Sequence, residues 1–431
     1  MNHTLAQKVG NESFAPEVYF RCMIASLLSH PDVWKYLTIP VISALIGWYT
    51  NRVALKMTFY PLDFVGIGPL GWQGIIPARA GMMAGKAVDL LTAKLITIDE
   101  RFAMIDPERV AQEMEGPLAR LTLQIIEEVM EEEAATVWVA MPKPVKQAVL
   151  QRAYSDIPEV VSGLMTEVKA NITDFFDLRA MVVEALESDR ELLNQIFLNV
   201  GRKEFQFIEV SGLYFGFLFG LVQMVVWYLF PQGWTLPVAG LIVGWATNWL
   251  ALKMIFEPLQ PKKFGPFRIQ GLFIKRQMEV AAEYARIVAG RILTSRNIFE
   301  TLLKGPASDR LLVLVQTHVK RAVDHTAGPA KSLLVLAQGS QRYLRIKNLI
   351  SQRFVEELPR NIRHVFSYAE QALDIETTLR TKMQGLKPDE FVGFLRPVFQ
   401  EDEWKLILVG AVLGLVAGLA QLVFVFGETL F

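Results

Sequence analysis

Two basic residues, each followed by a glutamine–glycine step and an arginine, are where this 431-residue chain could bind a charged ligand. Lys56 precedes Gln73-Gly74 and Arg79, and Lys253 precedes Gln270-Gly271 and Arg276 at the same spacing. Glycine lets backbone N–H groups approach an anion and the cation neutralises it, so the chemistry expected is lipid-headgroup or anion binding. The plainer alternative is that both lysines snorkel, stem along apolar surface and ammonium at the headgroups. A second set carries hydrogen-bonding rather than charge. Gly47, Asn51 and Ala54 stand at i, i+4 and i+7, and Gly244, Asn248 and Ala251 repeat them. Small residues let helices approach closely in lipid, and an amide can bond across the contact, worth about 0.6–2 kcal/mol. A helix-packing seam is the expected use, with a polar substrate or ion site as the alternative. Gly212, Gly216 and Gly220, and again Gly410, Gly414 and Gly418, recur every four residues, a close-packing pattern.

Other chemistry is thin. The single cysteine, Cys22, excludes an intrachain disulfide and any cysteine-rich metal site. The five histidines (His3, His30, His318, His325, His364) show no metal-ligand spacing. The acidic run Glu127, Glu128, Glu131, Glu132, Glu133 reads as a solvated helix face. No nucleotide loop, nucleophile elbow or HExxH motif is present, so no enzyme, cofactor or metal is expected. With 44 basic and 44 acidic residues the net charge is zero, which argues against a nucleic-acid partner.

The elements that must position these residues are membrane helices. Hydrophobic residues make up 52 % of the chain and mean hydropathy is +0.28. Residues 210–230 and 406–426 are each uncharged for 21 residues, enough for a hydrocarbon core about 30 Å thick. Residues 234–252 add a third uncharged run, and 36–51 a shorter one that spans only if Arg52 and Lys56 reach the headgroups. The expected organisation is an N-terminal segment 1–35, spans at 36–59, 208–230, 234–256 and 406–427, and helical extramembrane domains at 60–205 and 257–404. Residues 1–35 do not read as a cleavable signal peptide, and 18–28 reads as an interfacial helix. Basic flanks (Arg52, Lys56, Arg202, Lys203, Lys253, Lys262, Lys263, Lys405) put the long domains on the cytoplasmic side by the positive-inside rule.

The chain is internally duplicated. Gly47-Trp48-Tyr49-Thr50-Asn51 matches Gly244-Trp245-Ala246-Thr247-Asn248 at an offset of 197. The match continues without a gap through Ala54-Leu55-Lys56-Met57, Gly68-Pro69 and Gln73-Gly74. Gly216, Gly220 and Gln223 match Gly414, Gly418 and Gln421 at 198. Each copy is span, long polar segment, span, so the two form a tandem parallel repeat. Arg120–Met130, Leu178–Ile196, Val280–Leu293 and Leu344–Glu357 carry helical periodicity, punctuated by prolines such as Pro107, Pro158 and Pro359. The connections 60–79 and 257–276 read as non-helical, and no run of strands is apparent. Arg202-Lys203-Glu204 stands where the second copy has Gln400-Glu401-Asp402, a charge reversal that could pair across the repeat.

The pattern G-W-x-T-N-x-x-A-x-K-M-x-F-x-P-L, followed by G-P and Q-G, resembles a bacterial membrane-protein family known as domain of unknown function four-four-five. Residues 192–197, Gly201, Glu204, Phe207-Ile208, Ser211-Gly212 and 396–403 are similar to that family as well. The resemblance implies a multi-pass inner-membrane protein and carries no active site. The function expected is therefore a non-enzymatic, membrane-anchored helical scaffold contacting lipid headgroups, a protein partner or a second copy. The alternative is a small transporter or lipid-moving protein.

Overall fold

The computed structural model describes residues 33–67, 70–396 and 403–426. The interfacial helix expected at 18–28, Cys22, Gly68-Pro69 and the acidic junction 400–402 lie outside the described residues. Among the described residues eight helices exceed twenty residues: α1 (Val33–Phe59), α2 (Pro107–Ala140), α3 (Lys143–Ala170), α4 (Arg202–Leu229), α5 (Thr235–Phe256), α6 (Ser308–Gln338), α7 (Ser340–Asn361) and α8 (Glu403–Phe426). The described residues are nearly all helical. Among them three helices, α4, α5 and α8, are long and apolar enough to cross a membrane.

The helix ends follow local chemistry. Asp106 caps α2 by accepting from the Glu108 N–H at 3.0 Å, with Pro107 in the first turn, where its missing N–H costs nothing. The run 178–196 is not one helix: Asp189 accepts from Leu192 N–H at 2.9 Å and separates Leu178–Ser188 from Arg190–Val200. Pro158 and Pro359 lie inside helices rather than ending them, each forgoing one ladder hydrogen bond. The two connections are not wholly irregular. Each holds a hairpin of three-residue strands, β1 (Val65–Ile67) with β2 (Leu70–Trp72), and β3 (Lys262–Phe264) with β4 (Phe267–Ile269). A single helical turn follows each hairpin, Ile75–Ala78 and Leu272–Lys275. Elements this short leave no periodicity to read.

The chain divides into two compact units. Of the described residues, the first gathers 33–78, Gly201–Lys275 and 403–426. Here α1 packs chiefly on α4 and α5 on α8, and the two pairs pack on each other. Ile39, Trp227, Leu236 and Phe426 form a buried cluster, with the Trp227 and Phe426 rings 4.9 Å apart.

The second unit gathers Arg79–Val200 and Arg276–Val398. Helices α2 and α3 from the first polar segment pack with α6 and α7 from the second. The acidic run on α2 is not simply solvated. Arg353 of α7 pairs with Glu128 at 3.1 Å and with Glu132, and Arg342 donates to the Glu133 carbonyl at 2.7 Å. Asp324 of α6 accepts from Tyr343 at 2.7 Å and Lys331 at 3.1 Å, and from Lys347. The Lys347 ammonium and the Tyr343 hydroxyl hold the Asp324 carboxyl well below the usual carboxylate range.

Candidate functional site

The seam of the first unit is built from glycine. A Cβ on Gly47 would strike the Gly212 carbonyl, and one on Gly216 the Ser43 carbonyl. One on Gly220 would meet Pro40 Cα at 2.6 Å. Four residues forward on α1 are met by four backward on α4, so the pair is antiparallel. The second pair repeats this: Gly244 faces Gly410, Gly240 faces Gly414, and Gly418 faces Leu236. Such backbone-to-backbone approach is open only to residues without a side chain.

Close approach puts the asparagines to work. Asn51 Nδ2 donates to the Ile208 carbonyl at 2.7 Å, and Asn248 Nδ2 to the Leu406 carbonyl at 2.8 Å. Thr50, Asn51, Thr247 and Asn248 are all buried, as are Ala54 and Ala251. Ala54 packs with Ile75 and Leu406. The pairs differ at one layer. Ser43 donates to Gln223 Oε1 at 3.0 Å, but Gly240 stands at the matching place, and the buried Gln421 Nε2 has no hydrogen-bond partner. The signal for this layer was present in the sequence, a glutamine duplicated in otherwise apolar helices.

The glutamine–glycine steps close the connections. Gly74 N–H donates to the Pro61 carbonyl at 2.9 Å, and Gln73 Nε2 to the Leu62 carbonyl at 2.8 Å. Gly271 and Gln270 do the same to Pro258 at 3.0 Å and Leu259 at 3.3 Å. Glycine is required because a Cβ would lie 2.8 Å from the backbone of Phe59 or Phe256. These N–H groups are engaged by carbonyls, so the cradle expected for an anion is used as a loop clasp. Lys56 and Lys253 are exposed. Lys56 borders an open groove of about 720 Å³ with Met57, Tyr60, Leu62 and Trp72. Lys253 Nζ stands 4.9 Å from the centre of the Trp249 ring, and Arg52 lies 5.3 Å from that of Trp48. Tryptophan beside a cation at a helix end is the composition of a membrane interface. Arg79 and Arg276 fall in the second unit, each at the N-terminus of a helix, and Arg276 pairs with Glu279 at 3.0 Å. Among the described residues no cluster of His, Cys, Asp and Glu could hold a metal.

Comparison with known proteins agrees with the membrane character. The chain is 27 % identical over 130 residues to a UPF0754 membrane protein of Synechococcus sp. (strain JA-2-3B'a(2-13)), covering 30 % of each chain. It is 36 % identical over 87 residues to one of Microcystis aeruginosa, covering 19 % of this chain and 21 % of the relative. It is 27 % identical over 173 residues to one of Bacillus thuringiensis, covering 38 % and 45 %. The matched stretch thus spans under half the length of these relatives. No family model matches the chain, and no solved structure matches it. The chain is similar to bacterial membrane proteins whose family has no assigned role.

Proposed function

We propose that this chain is a membrane-anchored helical scaffold of the bacterial inner membrane, working without catalysis and without a cofactor. In this reading α1 joins α4, α5 and α8 as a fourth span, and the copies form a tandem parallel repeat of the four-four-five family. The long helical segments lie in the cytoplasm, where they contact lipid headgroups, a partner protein or a second copy. Nucleic acid is not a partner. The observation that carries the reading is the use of Asn51 and Asn248. Their amides bond to backbone carbonyls of neighbouring helices while buried. A transport path would need such groups to face water or substrate. The Trp249–Lys253 pair on α5 supports headgroup contact by Lys253, and on α1 the Trp48–Arg52 pair stands one turn before the exposed Lys56.

Converting both asparagines to alanine tests this. Each interhelical amide bond in lipid is worth about 0.6 kcal/mol, so the double variant should lose about 1 kcal/mol and be present in reduced amount. In a Cys22→Ser background, Asn51→Cys and Asn248→Cys should stay unlabelled by a water-soluble maleimide until the protein is denatured. Rapid labelling in native membranes, or full abundance of the alanine variant, would instead favour a small transporter or lipid-moving protein.

A further inference from the structure

The four long helices of the second unit do not close on a solid core. Between them lie two adjoining cavities of about 120 and 80 Å³. Leu118, Val160, Val161, Val319 and Phe354 line both, so the two are neighbouring chambers with these side chains between them, together the slot. Protein interiors rarely leave voids larger than a water molecule. An apolar void of about 150 Å³ stays dry and accepts a benzene-sized guest. On α2 the lining runs from Val110 to Met130, about 30 Å of helix, and resumes at Trp138 beyond the kink at Ala134. Two acyl chains end to end make a hydrocarbon core about 30 Å thick, so the slot has the length for one chain, and the helices must part to give it the width.

One end of the slot is polar. Trp138 lines the larger chamber, is 4 % exposed, and its indole N–H has no acceptor. A buried donor without an acceptor is unfavourable, and interiors rarely keep one without a reason. Lys146 Nζ stands 4.3 Å from the centre of the same ring. Of the other polar lining groups, Asp156 Oδ2 is bonded to His325 at 2.8 Å and Thr326 at 3.0 Å, Tyr343 donates to Asp324, and the Thr122 hydroxyl is a further lining group on α2. Both long helices break near this end, α2 at Ala134 and α6 at Gly328, whose φ of +39° favours glycine. Val139 and Leu336, close in sequence to the lining residues Trp138 and Leu334, are each 85 % exposed.

We propose that this slot binds one long acyl chain, with the tail between the four helices and a carboxyl or ester oxygen accepting from Trp138 Nε1–H beside the Lys146 ammonium. A narrow, mainly aliphatic lining with few polar groups matches an acyl lipid better than a peptide, which would bring many polar groups into the slot. Three apolar helices on the same chain bring the protein to where such lipids are found. The inference stands independently of the scaffold reading.

The test uses the full chain in lipid nanodiscs and two photoreactive probes. One is a sixteen-carbon fatty acid with a diazirine near its methyl end; the other is a phosphatidylglycerol carrying the same chain. Crosslinks are mapped by mass spectrometry. Saturable labelling of peptides from 110–130, 149–165 and 319–330, competed by palmitic acid, is expected from at least one probe, and the probe that labels identifies a free or an esterified chain. Trp138→Phe keeps an aromatic ring, though a smaller one, and removes the N–H, and should weaken apparent affinity about three- to tenfold, the value of one hydrogen bond. Ala153→Leu, which fills the larger chamber, should abolish labelling there without lowering the thermal midpoint. Labelling confined to the membrane helices with both probes, or labelling of the slot unchanged by both variants and by competitor, would overturn the proposal.

Discussion

Replacing Gly244 with leucine is expected to cost the protein its folded membrane core. The new side chain would meet the Gly410 carbonyl and, at 3.3 Å from Cβ alone, the Gly414 Cα. Over-packing among flexible side chains costs about 1–3 kcal/mol. Here the obstacle is backbone on a facing helix, which cannot rotate away, so the penalty should be at least about 3 kcal/mol. Separating α5 from α8 would also break the Asn248 bond to the Leu406 carbonyl. The measurement is the amount of monodisperse protein extracted in mild detergent and its thermal midpoint. Gly116 gives the matched control. It lies inside α2, and a methyl group placed there would meet nothing within 4 Å. Gly116→Ala should therefore stabilise by up to about 1 kcal/mol, the propensity difference alone. Equal behaviour of the two variants would mean that α5 and α8 do not approach as closely as described.

Asp324→Asn is the second large effect. One carboxylate serves Lys331, Lys347 and Tyr343, tying α6 to α7. Its side chain is 37 % exposed and that of Lys347 19 %, so solvent screening discounts the interaction, leaving a loss of about 2 kcal/mol. The sign with pH follows from the direction of the shift. The folded carboxyl is held below its unfolded value by Lys347 first, then by Tyr343. Its contribution is thus fully present above the unfolded pKa of about 4 and is lost as pH falls further, toward the folded value. Wild type and Asp324→Asn should differ by a constant amount from pH 5 to 8, and the gap should close below about pH 4. A gap that widens on acidification would contradict the network.

What the sequence makes legible here is whatever repeats or keeps a helical period. The four-residue spacing of Gly212, Gly216 and Gly220 is visible in the chain, and those residues meet Gly47, Ser43 and Pro40 in the structure. The helical class and the apolar runs at α4, α5 and α8 are readable from composition and period alone. Other features were hidden for physical reasons. Glu128 and Arg353 are 225 residues apart, and a charged face that meets a partner helix reads like one that meets water. The Gln73-Gly74 and Gln270-Gly271 steps suit an anion cradle and a loop clasp equally, because both need glycine and an N–H donor. Only the positions of the Pro61 and Pro258 carbonyls distinguish them. Nothing in the sequence singles out Trp138, since periodicity reports which face a residue occupies and not whether its N–H finds an acceptor.

Side-specific labelling of cysteines in intact cells tests the central claim, a scaffold anchored by four spans with its long segments in the cytoplasm. Cys22, the single native cysteine, reports on α1 without any substitution. In a Cys22→Ser background, Glu132→Cys, Glu357→Cys and Pro231→Cys report on the two long segments and the short loop. With a membrane-impermeant maleimide, Cys22 and position 231 should label in intact cells, while 132 and 357 should label only after permeabilisation. Shielding of Cys22 together with 132 and 357 would mean that α1 does not span. Labelling of 132 and 357 in intact cells would place the helical segments outside the cytoplasm and contradict the account.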